Sequence, residues 1–152
     1  MYLAIDQTAP DFKLLDQNNQ IVSLETFRGQ NVLLYFYPKD DTPGCTTEAC
    51  NFRDDYSSYE NANVVILGVS PDTPASHKKF KDKYQLPFTL LADENHQVCE
   101  LYKVWGPKKS FGKEYDGVHR TTYLIDPDGI IREVFQNVSP ANHSAEVLEI
   151  IS

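Results

Sequence analysis

Hydrophobic and polar positions fall into distinct rhythms along this chain. Val32 to Tyr37 and Val64 to Val69 are apolar throughout, as strands read when both of their faces are covered. Between them, Ala49, Phe52, Tyr56 and Tyr59 recur at spacings of three and four. That is one stripe of a helix, which ends near Glu60-Asn61-Ala62-Asn63. Ahead of the first strand, Phe12 to Leu15 and Ile21 to Leu24 flank a polar run, Asp16 to Gln20. They predict a hairpin whose turn uses the left-handed tolerance of Asn. Leu24 to Phe27 predicts one helical turn, stopped by Gly29.

Past the second strand, a helix starting at Pro74 carries Phe80 and Tyr84 and stops before Pro87. Thr89 to Ala92 predicts a short strand and Asn95 to Tyr102 a helix containing Cys99. Val104 to Gly117 mixes Gly, Pro and charge and predicts a surface loop, of a length usually functional or mobile. Thr121 to Ile125 and Ile130 to Phe135 flank Asp126-Pro127-Asp128-Gly129, a strong hairpin turn. After Pro140 a last helix holds Val147, Leu148 and Ile151. This order predicts an α/β fold, a mixed central sheet between helix layers with an N-terminal β-hairpin extension. No repeat or linker divides it, so residues 1–152 read as a single domain.

With 41% hydrophobic and 24% charged residues, the composition is that of an ordinary globular protein. The net charge of −8 argues against a nucleic-acid partner. Lys78, Lys79, Lys81 and Lys83 gather around Asp82, and the helical pattern spreads them over a solvated face. No apolar run reaches the ~20 residues of a membrane helix, and Met1 to Asp11 has none of the features of a leader. Three cysteines are sparse and odd in number, which fits a reducing compartment. The expected location is cytoplasmic, with no membrane partner.

The candidate chemistry lies in Tyr37-Pro38-Lys39-Asp40-Asp41-Thr42-Pro43-Gly44-Cys45-Thr46-Thr47-Glu48-Ala49-Cys50. A strand empties into a Pro/Gly loop that delivers Cys45 to the head of the helical stripe. In a first helical turn the N–H groups lack intrahelical acceptors and the macrodipole is positive, so a thiolate is favoured there. Cys50, five residues on, is turned by about 140° and advanced by about 7.5 Å on an ideal helix. The two Cα atoms would lie roughly 8–9 Å apart, beyond the ~7 Å reach of a disulfide. Either the two cysteines never meet or the helix must open. The pair does not converge and has no further Cys or His at ligand spacing, which disfavours zinc.

In these residues the chain resembles the peroxiredoxins, closest to the bacterioferritin-comigratory or Q-type subfamily. Pro38, Thr42 and Cys45 match the family's Pro-x-x-x-Thr-x-x-Cys signature, and Cys50 matches the subfamily's resolving cysteine. Arg120, in His119-Arg120-Thr121-Thr122-Tyr123-Leu124-Ile125-Asp126, matches the distant active-site arginine. Glu48 stands where the family places a Glu that helps to position that arginine. The likeness extends through Ala9-Pro10-Asp11-Phe12, Gly68-Val69-Ser70-Pro71-Asp72 and Leu86-Pro87-Phe88. Phe135 to Ser139 departs from it by lacking basic character.

The resemblance implies a thioredoxin-like fold and a thiol peroxidase acting on hydrogen peroxide or organic hydroperoxides. Cys45 would attack the peroxide and become sulfenic acid, and Cys50 would close an intramolecular disulfide. Thioredoxin or a similar dithiol would reopen it, in a monomer or weak dimer with no metal, flavin or haem. Arg120 would hold the thiolate, Thr42 would bridge thiolate and peroxide through its hydroxyl, and Pro38 would shield the sulfur. Read without the family, Thr42 is a helix N-cap, Pro38 a strand terminator and Arg120 a surface charge. Cys99 reads as a structural thiol. His77, His96, His119 and His143 are scattered and receive no role. Two other functions remain open at this level. One is a disulfide oxidoreductase, against which Cys-x4-Cys stands in place of Cys-x-x-Cys. The other is a copper chaperone, which needs converging thiolates and a His.

Overall fold

The computed structural model describes residues 2–151, with Ser110 as backbone only. Strands β1 (Lys13–Asp16) and β2 (Ile21–Ser23) form the expected hairpin, with Asn19 left-handed at φ 60° in its turn. A 3-10 turn at Leu24–Phe27 follows, and then β3 (Asn31–Phe36), α1 (Pro43–Asp54), α2 (Tyr56–Asn61), β4 (Val64–Ser70) and α3 (Pro74–Tyr84). The chain continues through β5 (Thr89–Ala92), α4 (Gln97–Leu101), β6 (Trp105–Ser110) and β7 (Lys113–Val118), and closes with β8 (Thr121–Ile125), β9 (Ile131–Gln136) and α5 (His143–Ile151). Seven strands make one mixed sheet in the order β2-β1-β5-β4-β3-β8-β9. β3, β4 and β5 run parallel, while β8 pairs antiparallel with β3 and β9 with β8. The N-terminal hairpin joins this sheet through β1 and β5.

β3 is apolar throughout because it is central and covered twice. Val32, Leu34 and Phe36 face one core with Val98 and Cys99 of α4, Tyr102, Phe12 and Leu24. Leu33 and Tyr35 face the other with Ala49 and Phe52 of α1, Tyr59 of α2, Phe80 of α3 and Val147 of α5. Gly68 of β4 makes room there: a Cβ on it would lie 2.9 Å from the Tyr35 ring and 2.9 Å from Leu90.

Two expectations need correction. The expected surface loop from Val104 to Gly117 is mostly a two-stranded ribbon, β6 paired antiparallel with β7. Phe111 (φ 51°) and Gly112 (φ 78°) supply the two positive φ angles of a tight hairpin turn. The long helix after Cys45 is interrupted at Asp55 (φ −95°, ψ 8°). Its carboxylate accepts the Ser144 hydroxyl at 2.6 Å, and Tyr56 is only half-buried where the stripe expected core. Of the four gathered lysines, Lys78, Lys79 and Lys83 lie on the solvated face as expected, and Lys81 alone is partly buried. Lys81 Nζ donates to the Leu86 and Phe88 carbonyls at 2.8 and 2.7 Å, and burial lowers its pKa.

Candidate active site

The end of β3 aims the site. Tyr37 N–H donates to the Val69 carbonyl at 3.0 Å, and half-buried Pro38 follows with no N–H to extend the ladder. Asp41 turns the chain at φ 54°, and Thr42 takes the N-cap position of α1 in extended conformation (φ −101°, ψ 156°). Its side chain makes no cap bond and donates instead to the Lys39 carbonyl at 2.8 Å. That hydroxyl therefore has its proton committed inside the loop and its lone pairs left to accept. Pro43 and Gly44 lead directly to Cys45, third residue of the helix and 1% exposed.

Arg120 reaches this sulfur from 75 residues away. It sits between β7 and β8, where His119 N–H donates to the Val104 carbonyl at 2.7 Å and Val138 N–H to the Arg120 carbonyl at 3.2 Å. Nη2 donates to Cys45 Sγ at 3.1 Å and Nη1 to Glu48 Oε1 at 3.3 Å. The approach depends on Gly44, since a Cβ there would lie 2.8 Å from Arg120 Nη2. The hydrophobic pattern does not single out this glycine; its place between Pro43 and Cys45 is the one signal the sequence offers.

Glu48 lies one turn below Cys45 and is 2% exposed. Burial pushes its carboxyl up to about 8, with Arg120 pulling the other way. The short contact taken alone would suggest an ion pair. A single 3.3 Å bond does not offset removing a carboxylate from water, so burial governs and Glu48 is mostly neutral near pH 7. Arg120 then keeps its charge for the sulfur.

The sequence matches the AhpC/TSA family over residues 5–134. It is 47% identical over 151 residues to Peroxiredoxin Bcp of Bacillus subtilis (strain 168), covering 99% of this chain and 96% of that one. To Peroxiredoxin Bcp of Escherichia coli (strain K12) it is 51% identical over 140 residues, 92% and 90% of the two chains. The chain belongs to the AhpC/TSA family, as a peroxiredoxin of the bacterioferritin-comigratory or Q type. The structure of a cysteine-to-serine mutant of Xylella fastidiosa PrxQ superposes with a TM-score of 0.94 at 31% identity, covering 99% of this chain and 96% of that one. Xanthomonas campestris Peroxiredoxin Q gives 0.87 at 34%, with 92% and 89% covered. The mixed sheet is thus the thioredoxin-like fold of peroxiredoxins.

In this peroxiredoxin all three cysteines are free thiols. Cys50 is half-buried on α1. Cys99 is fully buried in the opposite core, and burial, then the nearby Asp93, push its thiol pKa far up. Among the histidines, His77 and His143 are buried, which the sequence alone did not reveal. His143 Nε2 lies 2.7 Å from Thr122 Oγ1, and burial lowers the pKa of this ring. The ribbon adds a second cation: Lys108 Nζ donates to the Val118 carbonyl at 2.9 Å. Burial and then Arg120 lower its pKa while Cys45 raises it, so its ammonium shares the field of the site.

Proposed function

We propose that this thiol peroxidase reduces hydrogen peroxide and organic hydroperoxides with Cys45 as nucleophile and Cys50 as resolving thiol. The Cys45 thiolate attacks one peroxide oxygen; the S–O bond forms as the O–O bond breaks, sulfur gives two electrons, and the departing oxygen leaves as water or alcohol once protonated. Cys50 then attacks the sulfenic sulfur, forming S–S and releasing water. A dithiol, thioredoxin in this reading, exchanges with that disulfide and is itself oxidised. The observation that carries the reading is the Arg120 guanidinium with a donor 3.1 Å from Cys45 Sγ.

In this assignment Arg120 steadies negative charge on sulfur with a fork that cannot lose its proton. Glu48 orients that fork, Thr42 accepts from the peroxide, and Pro38 shields the sulfur from water. A neighbouring structure, of Xanthomonas campestris bacterioferritin comigratory protein, is described as addressing alkyl peroxide reduction activity, which supports organic hydroperoxides as substrates here. Cys45 and Cys50 share helix α1, so resolution in this reading needs no second copy, in keeping with a monomer or weak dimer. Among the described residues no helix is long and apolar enough to cross a membrane. A thiol cycle drawing on a dithiol reductant suits the cytoplasm.

Stopped-flow peroxide consumption by the reduced protein tests the assignment. Cys45→Ser should consume none, whereas Cys50→Ser should consume one equivalent and then fail to cycle with thioredoxin. The intact wild-type protein should lose about 2 mass units on oxidation without dimerising, the loss of two hydrogens to a disulfide. Consumption of an equivalent by Cys45→Ser would refute the reading.

A further inference from the structure

Beneath the loop that carries Cys45 lies a closed group of polar side chains that the chemistry above does not use. Asp40, two residues before Thr42, turns inward and is 7% exposed. Tyr37 donates its hydroxyl to Asp40 Oδ1 at 2.6 Å and Ser76 donates to Oδ2 at 2.8 Å. The same Oδ2 lies 2.7 Å from Nδ1 of the fully buried His77. The Asp40 backbone N–H donates to Asp72 Oδ2 at 2.9 Å, an oxygen that also receives the Ser70 hydroxyl at 2.6 Å. His77 Nε2 lies 2.9 Å from the Leu91 carbonyl oxygen.

These partners fix the proton count. A carbonyl only accepts, so Nε2 carries a hydrogen. Nδ1 and Oδ2 then face each other at 2.7 Å, and one proton must lie between them. With that proton the pair is neutral overall. Asp40, Asp72 and His77 have the make-up of a metal site, with ligand atoms within 4.8 Å of one another. A tetrahedral ion bonded to both Nδ1 and Oδ2 would hold them about 3.3 Å apart. At 2.7 Å the space is already closed by a hydrogen bond.

We propose that the Asp40–His77 pair positions the segment 38–42, and through it the Cys45 sulfur, for attack on peroxide. This rests on the reading of Cys45 as nucleophile. The loop has few other anchors. Pro38 donates nothing, the Thr42 hydroxyl bonds within the loop, and Asp41 is tied to Lys83 and Tyr84 only at the surface. Exposed ties of that kind contribute little. The buried pair instead joins the loop to α3 through His77 and Ser76 and to β5 through Leu91, while the Asp40 backbone N–H adds a tie to Asp72, just past β4. Displacing a nucleophile by about 1 Å costs on the order of a hundredfold in rate, so a clamp five residues upstream has leverage on the reaction.

The test uses variants of the full-length reduced protein. His77→Phe keeps the ring and loses both bonds. His77→Asn keeps a donor near Nδ1 and loses the tie to Leu91. Asp40→Asn keeps the shape and can donate to a neutral imidazole. Peroxide rate constants and Cys45 alkylation by iodoacetamide are measured from about pH 5 to pH 9, at a temperature where circular dichroism shows each variant folded. His77→Phe should slow peroxide attack by about tenfold or more and displace the alkylation curve, with His77→Asn recovering most of the loss. Coincident rates, within about twofold, and coincident alkylation curves would overturn the proposal even if thermal stability fell. Should His77→Phe not fold, Asp40→Ala, which removes the partner of both His77 Nδ1 and the Ser76 hydroxyl, is judged by the same criterion. If wild-type protein consumed no peroxide through Cys45, the functional reading would fail. The alkylation curves would still decide whether the pair positions the thiol.

Discussion

Arg120 faces two groups that can each carry negative charge, Cys45 and Glu48, and burial of the carboxyl separates their demands. Because Glu48 titrates near 8 in the folded protein, against about 4.3 when unfolded, the folded state holds a proton that the unfolded state has released. Its contribution to stability is therefore fully present below about pH 4.3 and is lost as pH rises through about 8. Denaturant unfolding of wild-type protein and Glu48→Gln across this range should show wild type losing ground with a slope of up to about 1.4 kcal/mol per pH unit. A flat difference would mean that Glu48 is ionised throughout. Gly44 sets the other limit. With Nη2 only 2.8 Å from its would-be Cβ, Gly44→Ala should push the guanidinium off the sulfur and slow peroxide reduction by about tenfold or more. Arg120→Ala should slow it further, and Arg120→Lys should recover only part, because an ammonium has no fork. Stopped-flow rates order the three variants, and a fast Arg120→Ala would remove the arginine from the mechanism. At this scale Cys45 was legible because the apolar stripe fixed its place in a first turn. Arg120 was legible only through family resemblance, since nothing local marks a contact made across 75 residues. His77 and Asp40 were not legible, because a polar residue becomes buried through tertiary packing that no single window contains.

The same distinction holds for whole elements. β3, β4, β8 and β9 announced themselves because a packed face imposes a pattern on the residues that cover it. The β6–β7 ribbon belongs to no covered sheet, and the first four residues of β7 are exposed, so packing imposed no rhythm on it. Its turn was masked as well, with Phe111 in a left-handed position that Asn or Asp usually takes. Helix α1 was legible in place but not in length, since the break at Asp55 answers to Ser144 on α5. In the free-thiol state α1 runs unbroken from Pro43 to Asp54 and includes both Cys45 and Cys50. A Cys45–Cys50 disulfide must shorten a helical Cα separation of roughly 8–9 Å to about 5.5–6 Å, so the first turns must unwind. Thr46 and Thr47 are weak helix formers, and half-buried Cys50 leaves without dragging Phe52 from the core. Amide exchange from Thr46 to Arg53 should rise sharply on oxidation while β4 stays protected. Equal protection in a protein whose mass shows the disulfide would overturn this account of the opening.

Across the whole molecule the sheet separates two cores that share its strands. The α1 side carries Cys45, Glu48 and the aromatic cluster of Tyr35, Phe52 and Phe88. The α4 side carries Cys99 against Phe36, Tyr102 and Val104. Alternation along β3 sends neighbouring residues to opposite faces, so a local change on one face reaches the other only through the backbone of a fully paired central strand. Cys99 is the probe for this separation. It is buried, its thiol pKa is pushed far up by burial, and its backbone N–H donates to Asp93 Oδ2 at 2.8 Å, a bond that does not depend on the side chain. Cys99→Ala should therefore lower unfolding free energy by about 1 kcal/mol through the small cavity it leaves. Peroxide rate and thioredoxin-linked cycling should stay within about twofold of wild type. Denaturant midpoints and steady-state turnover on the same preparation read both effects. A variant with unchanged stability and lost cycling would make Cys99 a participant in resolution, and the two faces would then be coupled in catalysis.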